Sequence, residues 1–186
     1  MIQLKEIKKH IKNDFDLLLK NVQEVCPLDD KFEISFKFAD LGKKEKIDTL
    51  LEAVTGQVKS VPGRYLYIFE AKRGTNSSHI FKSYEKTKNQ KPQIALARIN
   101  KVDSKISNIL YVGSSKTLVS RMRQHFGLGP QKTYALHMSQ WAKGLQGSFR
   151  IRLICFDQNI DDDVLQVIED MYSKVLCPIF GRRGSL

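Results

Sequence analysis

Residues 109–126 read Ile-Leu-Tyr-Val-Gly-Ser-Ser-Lys-Thr-Leu-Val-Ser-Arg-Met-Arg-Gln-His-Phe and carry the clearest pattern in the chain. The apolar and aromatic run 109–112 predicts a short buried strand that ends at Gly113. Leu118, Met122 and Phe126 then recur at four-residue spacing, so a helix follows whose inner face is apolar. The other face of this helix is basic, and two serines can cap its start. A strand that leads into the amino end of a basic helix suits an anion such as a phosphodiester.

The excess positive charge lies in the middle of the chain. The 186 residues have a net charge of +11, of which residues 61–110 contribute +7 and residues 111–150 contribute +6. Residues 1–60 are balanced, and residues 151–186 contribute −2. A long segment of one sign implies a polyanionic partner, most often nucleic acid. Because the basic segment coincides with the strand–helix pattern, nucleic acid is favoured over a merely solubilising surface.

The length and the cysteines limit the class of protein. The length suits one domain, or one domain with a small N-terminal addition. The three cysteines are odd in number and widely spaced, with no C-x-x-C pair, so neither a disulfide framework nor a zinc site is indicated. We therefore expect a reducing, cytoplasmic location. Lysines interrupt the N-terminus, and no apolar run approaches the ~20 residues of a membrane span, so no signal peptide or membrane partner is expected.

Apolar spacing predicts further elements on both sides of the central stretch. In residues 1–60 it indicates a helix at 2–22, a strand at 31–38 and a second helix at 47–58. We assign this portion a structural role, either covering an open sheet edge or forming a dimer surface. The remaining predicted elements are a strand at 65–69, a short helix at 78–89, a strand at 93–99, a helix at 133–144, a strand at 149–156 and a last helix from 161 to about 176. This pattern is typical of an α+β fold, a small sheet packed by helices.

An ordered set of short motifs resembles the signature of the GIY-YIG nucleases. Tyr111-Val112-Gly113, followed ten residues later by Arg121, is similar to the second half of that signature. Pro62-Gly63-Arg64-Tyr65 is similar to the first half, at the start of another apolar run. Glu169 matches the later acid of the family, and Pro178 matches the proline nine residues beyond it. Each motif alone is common, but the ordered set is specific.

The resemblance covers about residues 62–181 and implies a fold. It places a three-stranded antiparallel sheet flanked by helices, in the order ββααβα, within a nuclease-like domain at 61–186. Residues 1–60 are then an N-terminal α/β addition. Family members usually join their first two core strands by a short hairpin, whereas residues 70–108 intervene here. We expect this basic insertion to act as a DNA-gripping arm that stands apart from the core and contacts phosphates through Lys82, Lys86 and Lys88.

The resemblance also implies catalytic roles. Phosphodiester hydrolysis needs an activated water, charge stabilisation, a leaving-group proton and usually a divalent metal. Glu169 would hold Mg²⁺ or Mn²⁺, and one carboxylate is physically sufficient because magnesium keeps most of its waters. Arg121 would stabilise the charge that develops in the transition state. Either Tyr65 or Tyr111 would act as general base or orient the water, helped by the metal or by His125.

The remaining expectations concern contacts with nucleic acid and one departure from the family pattern. Lys116 and Arg123 are expected to contact nucleic acid. Relatives usually carry an asparagine three residues after the proline, where this chain has Gly181, with Arg182 or Arg183 available to occupy the space.

We expect a divalent-metal-dependent endonuclease that cuts double-stranded DNA, similar to the compact restriction enzymes of the family, which tend to dimerise. A catalytically silent nucleic-acid-binding module is the alternative that the missing asparagine allows, and a pure interaction protein is the third.

Overall fold

The structure, a computed structural model, describes residues 4–100 and 107–181, with side chains from residue 12 onward. Its helices and strands, in order, are α1 (Leu4–Glu24), β1 (Asp29–Lys37), α2 (Lys44–Ser60), β2 (Arg64–Ala71), α3 (Ser77–Gln90), β3 (Ile109–Ser115), α4 (Leu118–Phe126), β4 (Ser148–Phe156) and α5 (Asp162–Leu176), with short 3-10 turns at Phe38–Gly42 and Met138–Gln140. The predicted α+β class is confirmed. Within the described part, none of the helices is both long and apolar enough to cross a bilayer.

The strands form one antiparallel sheet in the order β1-β4-β2-β3. The three strands that were expected, β2, β3 and β4, are neighbours in it. The fourth strand comes from residues 1–60, because β1 pairs with β4 over most of its length. Its Phe32, Ile34 and Phe36 pack against the core, while the alternating residues are exposed. The N-terminal portion therefore covers a sheet edge, as predicted, and belongs to the same sheet as β2, β3 and β4.

Both faces of the sheet are covered, which is why every residue of β2 is buried. On one face, Tyr65, Tyr67 and Phe69 join a large core that includes side chains of α2, α3 and α4. On the other face, Leu66 and Ile68 pack with α5, and the end of α1 lies against the same cluster. A strand covered on both sides loses the polar alternation of an exposed strand. The odd-numbered side chains of β2 consequently face the same side as α4.

The insertion at 70–108 is not an arm apart from the core, so that expectation is wrong. Its predicted short helix is present as α3, in which Ile80, Tyr84 and Thr87 are buried. The Tyr84 ring stacks on Phe180 with centroids 3.9 Å apart, and its hydroxyl donates to a backbone carbonyl. The physical reason is that Ile80, Tyr84 and Thr87 share one face of α3 at helical spacing, and the large apolar surface of Ile80 and Tyr84 has to be buried. Lys82 and Lys86 remain exposed on the opposite side of α3.

Two segments that were predicted as regular elements are irregular. Residues 93–99 form isolated bridges instead of a strand, and one of these bridges joins Leu96 and Ala135. Residues 133–144 contain only a three-residue 3-10 turn instead of a helix. A helix cannot pass through this segment because His137 adopts a left-handed conformation with φ of 46°. The second helix of the expected ββααβα order is therefore absent from the described residues, while α3 has been added.

Candidate active site

A cleft of about 460 Å³ lies where β3, α4 and α5 meet. Its wall includes Tyr111 from β3, Arg121 from α4 and Glu169 from α5. Gly181, which stands at the position of the family's asparagine, lines the same cleft. Three of the predicted catalytic side chains are thus brought together from elements that are distant in sequence.

The Arg121 guanidinium is held in place by three hydrogen bonds. Its Nε donates to the Tyr67 hydroxyl at 3.2 Å, and its Nη2 donates to the Tyr111 hydroxyl at 3.3 Å. Its Nη1 donates to Gln124 Oε1 at 2.8 Å, one helical turn along α4. A planar guanidinium bound on three nitrogens has a defined orientation. The cleft therefore contains a fixed positive charge on its wall.

Gly113 makes room for the two tyrosines that bind this arginine. The rings of Tyr67 and Tyr111 stack with centroids 6.1 Å apart and planes inclined by 9°. A Cβ atom at Gly113 would lie 2.6 Å from the Tyr67 hydroxyl and 2.7 Å from Tyr111 Cε1. Contacts this short do not occur for real side chains, so glycine is required by close approach. This gives the glycine of the Tyr-x-Gly motif a physical reason.

Tyr65 does not join the cluster, and Tyr67 takes the position that was expected for it. The hydroxyl of Tyr65 donates to the carbonyl of Val61, at the end of α2. Tyr65 and Tyr67 share one face of β2, so sequence alternation cannot distinguish them. Strand register distinguishes them, because Tyr67 lies opposite Gly113, whereas Tyr65 lies opposite Ser115, further along β3. Tyr65, predicted to be catalytic, therefore lies outside the cluster, and Tyr67, two residues later, is the β2 tyrosine that binds Arg121.

His125 is buried behind the tyrosines and does not line the cleft. Its Nδ1 accepts the backbone N–H of Leu136 at 3.2 Å, so the neutral ring carries its proton on Nε2. Nε2 lies 3.0 Å from the Tyr67 hydroxyl and donates to it. Burial, reinforced by the charge of Arg121, lowers the pKa of His125 well below its usual value. The ring is therefore neutral and holds the Tyr67 hydroxyl, and it is buried away from the cleft, although a catalytic role was predicted for it.

The Tyr67 hydroxyl connects Arg121 and His125. Its hydroxyl oxygen accepts from both Arg121 Nε and His125 Nε2. Burial, together with the neighbouring Tyr111, raises the pKa of Tyr67, so it remains a neutral phenol. Because Tyr67 is buried and Tyr111 lines the cleft, Tyr111 is the phenol that a bound molecule would contact.

Glu169 presents a partly buried carboxylate to the cleft. The Ser114 hydroxyl donates to Glu169 Oε2 at 2.5 Å. Burial raises the pKa of Glu169, and the hydrogen bond from Ser114 opposes this shift. A bound cation would favour the ionised form that burial penalises.

The donor set fits a hydrated hard cation. Within the described residues, no group of three His, Cys, Asp or Glu side chains could hold a metal ion. The cleft instead offers Glu169, with Asp170 beside it on the wall. One or two carboxylates suit Mg²⁺ or Mn²⁺, which keep several water ligands, whereas a zinc site needs three or four protein ligands.

Comparisons of the chain with family models, with curated proteins and with solved structures gave no match. The resemblance to the GIY-YIG nucleases therefore rests on the residues of this chain alone. Of the residues that carry it, Tyr111, Arg121 and Glu169 line one cleft, and Tyr65 lies outside that cleft.

Asn100 holds residues 178–179 in place, next to Gly181, where the family usually has an asparagine. Gly181 has a φ of +115°, and a Cβ there would lie 3.0 Å from the Tyr111 ring, so an asparagine would be strained. The buried Asn100 donates from Nδ2 to the carbonyl of Pro178 at 2.8 Å and from its backbone N–H to Ile179 at 3.0 Å. No spacing rule connects residue 100 with residue 178, so sequence reasoning missed this contact. Arg182 and Arg183 lie outside the described residues.

The predicted nucleic-acid contacts are basic side chains that are exposed or partly exposed. Lys116 forms an ion pair with Asp162, with its Nζ 2.6 Å from Oδ2. Both side chains are more than half exposed, so the pair is weak and Lys116 can exchange it for a phosphate. The other predicted contacts are exposed or partly exposed basic side chains: Arg123 on α4 and Lys82, Lys86 and Lys88 on α3.

Proposed function

We propose that this protein is a divalent-metal-dependent endonuclease that hydrolyses phosphodiester bonds in DNA. The observation that carries the proposal is the meeting of Tyr111, Arg121 and Glu169 in one cleft. These three side chains supply a hydroxyl, a fixed positive charge and a metal-binding carboxylate. Phosphodiester hydrolysis requires groups of these kinds.

Each side chain has a distinct role in the proposed reaction. The Arg121 guanidinium faces the phosphoryl oxygens and stabilises the charge that builds on them, without reorganising because its hydrogen bonds already hold it. The Tyr111 hydroxyl hydrogen-bonds the attacking water from the cleft wall. Tyr67 and His125 position Arg121 from behind. Glu169 would hold Mg²⁺ or Mn²⁺, which would supply Lewis-acid polarisation of a phosphoryl oxygen and a lowered pKa for a bound water.

The charge distribution favours DNA as the partner of this cleft. Residues 61–150, which supply β2, α3, β3 and α4, carry the whole positive excess of the chain. Such a field raises the rate of encounter with a polyanion and adds affinity through counterion release. Cleavage of both strands by a restriction-type enzyme needs two sites, so a homodimer is part of the proposal. Exposed free thiols at Cys26 and Cys177 are consistent with a reducing, cytoplasmic compartment.

A catalytically silent nucleic-acid-binding module is the second candidate. Gly181 favours it, since the amide that orders this site in the nuclease family is replaced by a residue with no side chain. The two candidates predict the same binding and different chemistry.

Plasmid digestion separates the two candidates. Supercoiled plasmid is incubated with the protein in Mg²⁺, in Mn²⁺ and in EDTA, and DNA binding is measured on the same preparation. The proposal predicts nicked or linear product with either metal and none in EDTA. Binding without cleavage in both metals would identify the silent module. If the protein does not bind DNA at all, the third alternative, a pure interaction protein, would be favoured. Sequencing of the product ends would then give the cut position.

A further inference from the structure

A second groove, of about 780 Å³, adjoins the candidate active site. Arg98 and Tyr134 line both this groove and the cleft that contains Glu169. The two depressions therefore meet at these two side chains. A chain that leaves the cleft in this direction passes Tyr134 and enters the groove.

The wall of the groove carries three cationic side chains. They are Lys88, Arg98 and Lys132, and among the described residues that line the groove there is no carboxylate. Within the described residues, none of the three forms an ion pair. A charged groove of this kind suits the backbone of a nucleic-acid strand.

Tyr134 is an exposed aromatic residue on a firmly held backbone. Its relative exposure is 73 %, although it is a large, partly apolar side chain. The neighbouring Ala135 exchanges hydrogen bonds with the facing segment, donating to Ala95 at 3.2 Å and accepting from Ala97 at 2.9 Å. On the other side, Gln131 accepts from Ala95 at 2.7 Å. A hydrogen-bonded backbone thus holds Tyr134 on the wall of the cleft, with most of its side chain open to solvent and accessible for stacking.

We propose that Tyr134 is a stacking platform for an unpaired base and that the groove receives the single strand flanking the scissile phosphate. In an uninterrupted duplex, base faces are covered by their neighbours, so the ring can stack only on a base that has left the helix or was never paired. Duplex DNA with a single-stranded segment beside the cut should consequently bind more tightly than a plain duplex. The inference rests on the proposed nuclease function for the identity of the cleft, but the groove itself can be tested by binding alone.

The test uses the full-length chain carrying Glu169→Gln, so that DNA is bound without being cut. Fluorescence anisotropy gives the Kd for a plain duplex and for the same duplex with a single-stranded extension. The extension carries 2-aminopurine, whose fluorescence is quenched by stacking. Tyr134→Ala and Tyr134→Phe are added in the same background, and the phenylalanine variant is the matched control because it keeps the aromatic face.

We expect the extended duplex to bind more tightly than the plain one and its 2-aminopurine to be quenched. Tyr134→Ala should weaken binding of the extended duplex by roughly 5- to 100-fold and abolish the quenching, with little change for the plain duplex. Tyr134→Phe should retain both. Unchanged binding of the extended duplex by Tyr134→Ala, or an equal loss on both DNAs, would overturn the inference. The two proposals can fail separately. If the wild-type protein cuts no DNA with Mg²⁺ or Mn²⁺ but still prefers the extended duplex in a way that depends on Tyr134, the nuclease function is refuted and the stacking platform is supported.

Discussion

Arg121→Ala removes the fixed charge of the cleft while leaving its neighbours with hydrogen-bond partners. Tyr67 keeps the bond from His125, and Tyr111 faces the open cleft, where water can bind it. Three hydrogen bonds are lost, but no buried group is left unsatisfied. At about 0.5–1.5 kcal/mol per bond, with water replacing part of the loss, the free energy of unfolding should fall by about 1–2 kcal/mol. The melting temperature should then drop by about 2–8 °C.

The loss of activity should be much larger than the loss of stability. Removing one preorganised donor from a developing oxyanion costs on the order of 10²–10³ in rate, which is about 2.7–4 kcal/mol of transition-state stabilisation. Because all three Arg121 nitrogens are hydrogen-bonded, its charge is preorganised in this sense. We therefore expect the single-turnover rate of plasmid nicking to fall by at least about 10²-fold in a protein that is still folded.

Arg123→Ala is the matched control, since it makes the same chemical change two residues away on α4. Arg123 is exposed and does not line the cleft, so its loss should weaken DNA binding slightly and barely change the single-turnover rate. Both variants are compared with wild type by single-turnover nicking, thermal melting and DNA binding at one fixed salt concentration. Equal rate losses at the two positions would show that α4 supplies only bulk positive charge, and the reasoning from the Arg121 hydrogen bonds would fail.

Further predictions concern the buried histidine, the close-packed glycine and the surface of α3. Burial, helped by a nearby guanidinium, lowers the pKa of His125, so the unfolded chain binds more protons and stability should fall as pH drops below 6.5. His125→Gln should remove up to about 1.4 kcal/mol per pH unit of that dependence, and an unchanged curve of melting temperature against pH would contradict the assignment. Gly113→Ala should lower activity and stability because its Cβ would lie 2.6 Å from a tyrosine hydroxyl, whereas Gly56→Ala, in open space on α2, should raise the melting temperature slightly. Changing Lys82 and Lys86 to Ala should weaken binding of all DNA sequences and lower the salt slope by roughly two, and an unchanged slope would leave α3 with a packing role only.

Local periodicity predicted those elements whose burial follows from their own sequence. The strand and helix of 109–126 were expected from apolar spacing, and they form β3 and α4 with closely matching bounds. The alternation at 31–38 likewise indicated β1. It could not indicate that β1 pairs with β4, because strand pairing between remote segments leaves no local pattern.

The site was predictable in its residue types and less so in its details. Tyr65 and Tyr67 lie on the same strand face, and only their register against Gly113 selects Tyr67. Asn100 reaches Pro178 through a contact between segments that nothing in the spacing connects. Tyr134 was expected within a regular helix, whereas the irregular backbone around it displays the ring to solvent.

The role of Glu169 as the metal-binding carboxylate is tested most directly by Glu169→Gln, beside Glu52→Gln as the matched control. The amide is nearly isosteric with the carboxylate but is a poor ligand for a hard cation. Glu52 is exposed on α2, so the same change there should leave the rate of plasmid cleavage with Mg²⁺ unaltered. We expect Glu169→Gln to keep its fold and its DNA binding and to produce no Mg²⁺-dependent cleavage. Cleavage by Glu169→Gln at the wild-type rate would contradict the proposed metal site.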